Sequence, residues 1–212
     1  MERDDWVRAH ATRRSIVGTN GAPRCFVNPG WHHGLGIAGR EEWLAAAVEA
    51  PAPPGVGGVA AVLVGLPQGA NRVSMCGYVV DTWCLGVKNA LGPERLAAGE
   101  FEALRRRYFA PWGSSGIPIS IELARHLVLG AVEYAHRLGF APHRDLRRAR
   151  GALGAWEGPG AITFGHDGAP DYRSGPYDDP ARVLATLDRT VGRGGYRYTC
   201  TITNREKTGE AA

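Results

Sequence analysis

Apolar and polar residues follow a helical period between residues 119 and 138. At 100° per residue, one face of this segment is apolar and consists of Leu123, Leu127, Ala131, Tyr134, Ala135 and Leu138. The opposite arc carries Glu122, Arg125, His126, Glu133, His136 and Arg137. This arrangement predicts one long amphipathic helix that buries its apolar face, and Gly139 is a suitable residue to end it.

Two runs of β-forming residues precede this helix. Residues 59–66, VAAVLVGL, are short and apolar throughout, which favours a buried strand. Residues 72–88, RVSMCGYVVDTWCLGVK, are rich in Val, Tyr, Trp and Cys, which predicts one long strand. The sequence PQGAN between the two runs supplies a turn, so we expect an antiparallel hairpin.

Shorter elements complete a mixed pattern of helices and strands. Asp167-Gly168 is a turn signal that predicts a second hairpin, between residues 161–164 and 170–172. Further helices are predicted at residues 41–50, 93–108, 143–153 and 180–191, and a last strand at 196–203.

The fold class expected from this pattern is α+β. One domain over residues 21–204 would contain a mainly antiparallel sheet, packed against the amphipathic helix at 119–138 and against shorter helices. Residues 1–20 are expected to form a loose polar arm, and residues 205–212 a polar tail.

Composition places the chain among ordinary globular proteins. Its 212 residues are 44% hydrophobic and 22% charged, which permits one hydrophobic core and argues against general disorder. No apolar run reaches the roughly 18 residues of a membrane span, and the first thirty residues lack the apolar core of an export signal. The four cysteines form no C-x-x-C pair, which disfavours a zinc ribbon. We therefore expect a cytoplasmic protein with free thiols, without a membrane partner, metal or cofactor.

The positive charge is carried almost entirely by arginine. The net charge is +4, and of the 25 basic residues all except Lys88 and Lys207 are arginine. Arginine keeps its proton in proteins, whereas burial can turn a lysine into a base or a nucleophile. Lys88 therefore stands out as the one lysine inside the predicted domain. Arginine clusters at 105–107 and 144–150 can meet a nucleic-acid backbone or an anionic substrate, or can form solvated helix faces.

The segment DTWCLGVK brings a carboxylate, a thiol and an amine within eight residues, as Asp81, Cys84 and Lys88. A thiol attacks as its thiolate, and a neighbouring ammonium group lowers the pKa of a thiol, so these residues are candidates for nucleophilic catalysis. On an ideal strand Cys84 and Lys88 share a face and Asp81 lies on the other. The alternative interpretation is that Cys84 is a small core residue.

Other candidates are spread along the chain. Glu122 and His126 lie four residues apart on the predicted helix, where a cleft would make His126 a general base and solvent would make the pair a surface contact. His33 lies in a glycine-rich loop. Arg173 and Tyr177 are candidates for substrate binding, because a guanidinium group can clamp an anion.

Two stretches of the chain resemble an uncharacterised group of bacterial proteins. The first is VVDTWCLGVKNA at 79–90, with a V-D-x-x-C-L-G-V-K run, and the second is ITFGHDGAPDYRSGPYDDP at 162–180, with an F-G-x-D-G-x-P…G-P-x-D-D run. The resemblance covers about residues 79–191 and implies no activity, cofactor or site residue.

These observations favour two classes of function. The first is a small cytoplasmic enzyme of transferase or hydrolase type, in which Cys84 and Lys88 act on an anionic substrate with help from Asp81 and His126. The alternative is a module that binds RNA or another nucleic acid through its arginine clusters and exposed aromatic side chains. No sequence signature of a known RNA-binding module supports that alternative.

Overall fold

The centre of the molecule is a five-stranded sheet in which every neighbouring pair is antiparallel. The structure is a computed structural model that describes residues 21–44, 57–158 and 160–200. The sheet strands are β1 (Arg24–Val27), β3 (Val59–Pro67), β4 (Arg72–Asp81), β5 (Gly86–Ala97) and β6 (Ile117–Ile119). They lie in the order β5-β4-β3-β1-β6, which confirms the α+β class with a mainly antiparallel sheet.

The β3–β4 hairpin follows the predicted pattern, but the long strand predicted over 72–88 is wrong. Val62 lies opposite Tyr78 in the hairpin, and both side chains are buried. β4 ends at Asp81, residues 82–85 form a turn, and the chain returns as β5 from Gly86. Gly86 has a φ of 68°, a left-handed conformation that glycine adopts without strain and that lets the chain turn back into β5.

The helix predicted to start at residue 93 starts later, because β5 continues to Ala97. The first helix, α1, covers Ala98–Phe109. β5 is an edge strand, and at an edge Pro93 can occupy the strand without breaking a hydrogen bond to a further neighbour. Pairing of Glu94 with Met75 holds this part of the chain extended.

The single helix predicted over 119–138 is not present as one element. Three consecutive segments replace it: α2 (Ile121–Arg125), a π-helical segment (His126–Gly130) and α3 (Ala131–Arg137). The six apolar residues predicted to face the core are all buried, and Val128, Leu129 and Gly130 are buried as well. The centre of this helical region is therefore enclosed on more sides than an amphipathic surface helix. Gly130 lies so close to Phe164 that an added Cβ would come within 2.8 Å of its ring.

Both faces of the sheet are covered by helices. Val62 and Tyr78 belong to a large core that includes α2, the π-helical segment and α3. Leu63 and Met75 belong to a smaller core formed with Phe101 of α1. Neighbouring strand residues point to opposite faces, so these two cores lie on opposite sides of the sheet.

A short 3-10 helix (Ala110–Trp112) follows α1, and the other elements lie around the sheet. They are β2 (Gly36–Ile37), α4 (Leu146–Ala149), a 3-10 helix (Arg150–Leu153), β7 (Ile162–Thr163), β8 (Asp171–Arg173), α5 (Pro180–Thr190) and β9 (Arg197–Thr199). Asp179 caps α5 by accepting a hydrogen bond from the Arg182 amide, as its Asp-Pro start predicts.

The second predicted hairpin is wrong, although its turn is present. Asp167 and Gly168 both have positive φ, at 56° and 79°, as a tight Asp-Gly turn requires. β7 pairs with β2, however, and β8 pairs in parallel with β9, so the two flanking segments have different partners. The turn thereby carries the chain from one small sheet to the other.

Several predicted segments lie wholly or partly outside the described residues. The arm at 1–20, the tail at 205–212 and the end of the last predicted strand are outside. Of the helix predicted at 41–50, residues 42–44 are helical and 45–50 are outside. Across the described ranges, no helix combines the length and apolar character needed to cross a membrane.

Candidate active site

The turn after β4 is organised by the carboxylate of Asp81. Asp81 Oδ1 accepts hydrogen bonds from the backbone amides of Trp83 at 3.0 Å and Cys84 at 2.9 Å. Burial raises the pKa of Asp81 to about 6, although these hydrogen bonds and the charge of Lys88 oppose the shift. Asp81 therefore shapes the turn that presents Trp83.

Asp81→Asn should change how stability depends on pH. The pKa of Asp81 rises from 3.8 to about 6 on folding, so the unfolded chain releases its proton first as the pH rises between these values, and stability falls. One pKa unit corresponds to about 1.4 kcal/mol, so this group removes roughly 2 to 3 kcal/mol between pH 4 and pH 7.5. Asparagine keeps an oxygen for both amides and does not ionise. Urea unfolding of both proteins at pH 4 and at pH 7.5 measures this effect. The unfolding free energy of the variant relative to the wild type should be higher at pH 7.5 than at pH 4 by that amount. The same difference between the two proteins at both pH values would contradict the prediction.

Cys84 lies in the core beneath this turn. Its side chain is fully buried, and burial raises the pKa of its thiol well above the ordinary value. Asp81, Asp171 and Asp178 raise this pKa further, and the charge of Lys88 opposes them. A buried thiol with three acidic neighbours is held in the neutral form, which favours the core interpretation over the nucleophile.

Lys88 forms an ion pair with Asp178. Its Nζ lies 2.8 Å from the Asp178 carboxylate, which also accepts a hydrogen bond from the Gly175 amide at 2.8 Å and lies 3.5 Å from the Tyr172 hydroxyl. Asp178 is nearly buried, whereas 29% of the Lys88 side chain is exposed. This contact fastens the loop after β8 to β5.

Trp83 brings the loops of the site together. The His166 ring stacks on its indole ring, with 4.2 Å between centroids and 12° between planes. The guanidinium carbon of Arg173 lies 4.4 Å from the indole centroid. Trp83 Nε1 donates a hydrogen bond to the His33 carbonyl at 2.8 Å, so this buried side chain fixes His33, His166 and Arg173 around it.

His166 and Asp171 form a dyad. The Asp171 carboxylate is buried, and its Oδ2 lies 3.0 Å from His166 Nδ1 and 3.9 Å from Arg173 Nη2. A carboxylate only accepts hydrogen bonds, so Nδ1 carries the proton of a neutral ring and Nε2 has the free lone pair. Nε2 lies 3.7 Å from Asp167 Oδ2, and 23% of the His166 side chain is exposed.

An open cleft of about 550 Å³ lies beside this dyad. It is lined by His32, His33, Gly34, Leu35, Gly36, Thr163, Asp167 and Gly168. Gly34 separates the cleft from the His166 ring, since a Cβ there would come within 2.6 Å of His166 Cδ2. The rings of His33 and His166 are 6.1 Å apart between centroids. His33 and Asp167 thus face the cleft, and His166 lies behind Gly34.

The residues proposed from the sequence fall into separate places. His33 lines the cleft and Arg173 lies against Trp83. Asp81, Cys84 and Lys88 lie in the turn and core nearby. Glu122 accepts a hydrogen bond from Arg40 at 2.6 Å, on another part of the surface. Tyr177 is 98% exposed.

His126 belongs to an aromatic cluster. Its ring packs edge-on against Trp43 and Trp156, at 5.0 and 4.9 Å, and its Nδ1 accepts a hydrogen bond from the Ala161 amide. Burial lowers the pKa of His126, opposed by Glu122. Within the described ranges, no hydrogen bond or ring contact joins His126 to the cleft residues.

Sequence reasoning missed His166, Asp171 and Trp83 as a site. A local signal was present, because His166 precedes the Asp167-Gly168 turn and Asp171 follows it, which returns the chain toward the imidazole. No local pattern connects Trp83 with His166, which are far apart in the chain.

In the part of the chain that the structure describes, no group of three or more His, Cys, Asp or Glu side chains is arranged to hold a metal ion. Comparison of the chain with protein-family models, with curated proteins and with solved structures gives no match. The site is therefore interpreted from its own chemistry.

Proposed function

We propose that the protein is an enzyme of hydrolase or transferase type that acts on an anionic substrate, with His166 as its general base. The observation that carries this proposal is the 3.0 Å contact of His166 Nδ1 with the buried Asp171 carboxylate, beside an open cleft. Such a contact orients the ring and stabilises the imidazolium ion that forms when Nε2 takes a proton.

Arg173, next to the dyad, supports an anionic substrate, although Asp167 adds a carboxylate 3.7 Å from His166 Nε2. Arg173 is half-exposed beside Trp83, where its planar group can donate two parallel hydrogen bonds to a carboxylate or phosphate. Asp171 is already shared by His166 and Arg173, so it neutralises part of their charge and leaves the exposed edge of Arg173 for a ligand.

This proposal moves the chemistry from Cys84 and Lys88 to the neighbouring dyad. The thiol is buried and kept neutral, and the amine is held by Asp178. The four cysteines are unpaired, which supports a reducing compartment, and we extend the proposal to the cytoplasm.

A nucleic-acid-binding module built on both arginine clusters receives less support. Residues 105–107 lie on α1, and residues 147–150 lie on α4 and the 3-10 helix that follows it. These elements pack against opposite faces of the sheet, so the clusters do not form one continuous basic surface.

His166→Gln should remove most of the turnover. The test uses p-nitrophenyl phosphate, bis(p-nitrophenyl) phosphate and p-nitrophenyl acetate as small substrates, and we expect turnover of the charged esters. General base catalysis contributes roughly 10²-fold or more to rate, so kcat should fall by about that factor. His136→Gln is the matched control, because His136 is exposed on α3 and should leave kcat unchanged.

Cys84→Ala and Lys88→Arg distinguish the two possible centres. Both variants should retain turnover if His166 is the base, because neither residue reaches the cleft. Thermal unfolding should accompany each assay, so that loss of fold is separated from loss of chemistry. Turnover that survives His166→Gln but disappears in either of the other two variants would return the centre to Cys84 and Lys88.

A further inference from the structure

His166 Nε2 faces the carboxylate of Asp167 at the edge of the cleft. His166 Nε2 and Asp167 Oδ2 are 3.7 Å apart, which is beyond the range of a hydrogen bond. Asp167 lines the cleft, and 74% of its side chain is exposed, against 23% for the side chain of His166. The place where the two groups meet is therefore accessible to water.

The fold holds both groups in place. The His166 ring is held by the Trp83 indole ring and by the Asp171 carboxylate. The Asp167 amide donates a hydrogen bond to the Gly34 carbonyl at 2.9 Å. Asp167 has a φ of 56°, and among the described residues it is the one residue other than glycine with a positive φ. Contacts on both sides of the turn thus keep the Asp167 carboxylate within reach of Nε2.

Both facing atoms are hydrogen-bond acceptors. Nδ1 of the neutral His166 ring donates to the Asp171 carboxylate, so Nε2 has a free lone pair. The Asp167 carboxylate also only accepts. Two acceptors at this separation repel each other unless a group that donates to both lies beside them. A water molecule has two O–H groups and is able to donate to both, whereas an alcohol has one.

A second His–Asp pair of the chain lacks this feature. His143 Nδ1 lies 3.8 Å from the Asp145 carboxylate, but this nitrogen accepts a hydrogen bond from the Asp145 amide at 3.3 Å. None of the hydrogen bonds among the described residues ends on His166 Nε2. The lone pair of Nε2 is therefore available for a ligand at the cleft edge.

We infer that Asp167 is a second catalytic residue, which binds the attacking water together with His166, and that the reaction is a hydrolysis. This inference rests on the proposed function, since it uses His166 as the general base. It decides between the two reaction types that the proposed function includes, because an alcohol acceptor would leave one of the two facing acceptors without a donor.

The step is written here for a p-nitrophenyl ester. One O–H of the water donates to His166 Nε2 and the other to the Asp167 carboxylate. The water oxygen forms a bond to the phosphorus or carbonyl carbon of the ester while its first proton passes to Nε2, and Asp171 stabilises the imidazolium ion. The bond to the p-nitrophenyl oxygen breaks, and p-nitrophenolate leaves with the electron pair. The imidazolium ion then releases its proton to solvent, so no oxidant or reductant is needed.

Asp167→Gly tests the second catalytic residue. Glycine adopts the positive φ of this position without strain and removes the carboxylate. The substrate is the p-nitrophenyl ester, of the three named above, that the wild type turns over fastest. The kcat should fall by roughly 10-fold to 100-fold, the factor that corresponds to one hydrogen bond to a charged group.

Two further variants accompany Asp167→Gly, and thermal unfolding is measured for each. Asp145→Gly is the matched control, because it removes the carboxylate of the other His–Asp pair, and it should leave kcat unchanged. Asp167→Asn keeps the size of the side chain and should also lower kcat, since a neutral oxygen is a weaker acceptor than a carboxylate.

The identity of the acceptor is tested in mixtures of water and methanol, with mass spectrometry of the products. The wild type should form the hydrolysis product, because methanol has a single O–H for two acceptors. In Asp167→Gly one acceptor remains, so the fraction of methyl product should rise by roughly 10-fold or more. A wild type that forms methyl product in proportion to the methanol present would overturn the inference.

NMR of the His166 ring nitrogens gives a test that does not depend on turnover. At pH 7.5 the inference requires a proton on Nδ1 and a free lone pair on Nε2. A ring with protons on both nitrogens would donate directly to Asp167, leave no place for the water, and overturn the inference.

The outcomes separate this inference from the proposed function. Turnover that is lost in His166→Gln but kept in Asp167→Gly would overturn the inference and leave the proposed function intact. Turnover that His166→Gln retains, or no turnover of the three esters by the wild type, would overturn the proposed function and the inference with it. Loss in both variants, with water as the acceptor in the wild type, would support both.

Discussion

Gly86→Ala should destabilise the protein by about 2 to 5 kcal/mol, the sum of two effects. Gly86 has a φ of 68°, and an L-residue in this left-handed region costs about 1 to 2 kcal/mol. Its added Cβ would also lie 2.6 Å from the Cβ of Ala135 and 2.8 Å from the carbonyl oxygen of Ala131. A backbone oxygen inside α3 is not able to rotate away, so relief of this overlap requires a shift of α3 or β5, at about 1 to 3 kcal/mol.

Gly69→Ala is the matched control for Gly86→Ala. Gly69 has a φ of 80°, close to that of Gly86, but nothing lies within 4 Å of its added Cβ. It should therefore cost only the conformational part, about 1 to 2 kcal/mol. Urea unfolding of the two variants gives the difference between them, and equal losses would mean that α3 does not pack closely on the start of β5.

The β3–β4 hairpin and the turn before Gly86 show which parts of the fold the sequence predicts and which it does not. The β3–β4 hairpin was predictable, because two apolar runs and a turn signal lie next to each other and hydrophobic burial favours their pairing. The break after Asp81 was not, because residues 82–85 have the same Trp, Cys and Leu composition as a buried strand. Their turn depends on the Asp81 carboxylate and on the close packing of Gly86 against α3, which are interactions in three dimensions.

In the helical region at 119–138 the sequence predicts which side chains are buried but not the π-helical segment. The residues predicted to be apolar and inward-facing between 119 and 138 are buried, since their spacing already determines which side chains share a face. The π-helical segment at His126–Gly130 was not predicted, because spacing alone does not reveal a local change in backbone hydrogen bonding. Close approach of Gly130 to Phe164, thirty-four residues later in the chain, accompanies that change.

The candidate site was predicted only in part, for the same physical reason. His33 and Arg173 were singled out from the sequence and do lie next to Trp83. The centre at Cys84 and Lys88 was favoured because three reactive residue types share one short segment, whereas reactivity depends on burial and charge that the segment does not determine. The dyad of His166 and Asp171 gains its place beside the cleft from Trp83, which comes from a distant part of the chain.

Trp83→Ala should cost about 3 to 5 kcal/mol in unfolding free energy and should also disturb the dyad. The side chain is buried, and truncation of a buried aromatic residue to alanine leaves a cavity with a cost in that range. Its ring also packs against the backbone at Gly57 and Gly58, where an added Cβ would come within 2.6 Å of the indole. Removal of the ring takes away the surface on which His166 stacks and against which Arg173 lies.

Trp83→Phe separates these contributions. Phenylalanine keeps a ring for His166 but has no N–H for the His33 carbonyl, so it should cost about 1 kcal/mol from the lost hydrogen bond and somewhat more from its smaller volume. Urea unfolding measures both variants, and NMR of the His166 ring reports its environment. We expect the His166 signals to move far more in Trp83→Ala than in Trp83→Phe, since only the former loses the stacked ring. Unchanged His166 signals in Trp83→Ala would mean that Asp171 alone holds the imidazole, and that Trp83 serves the core without positioning the base.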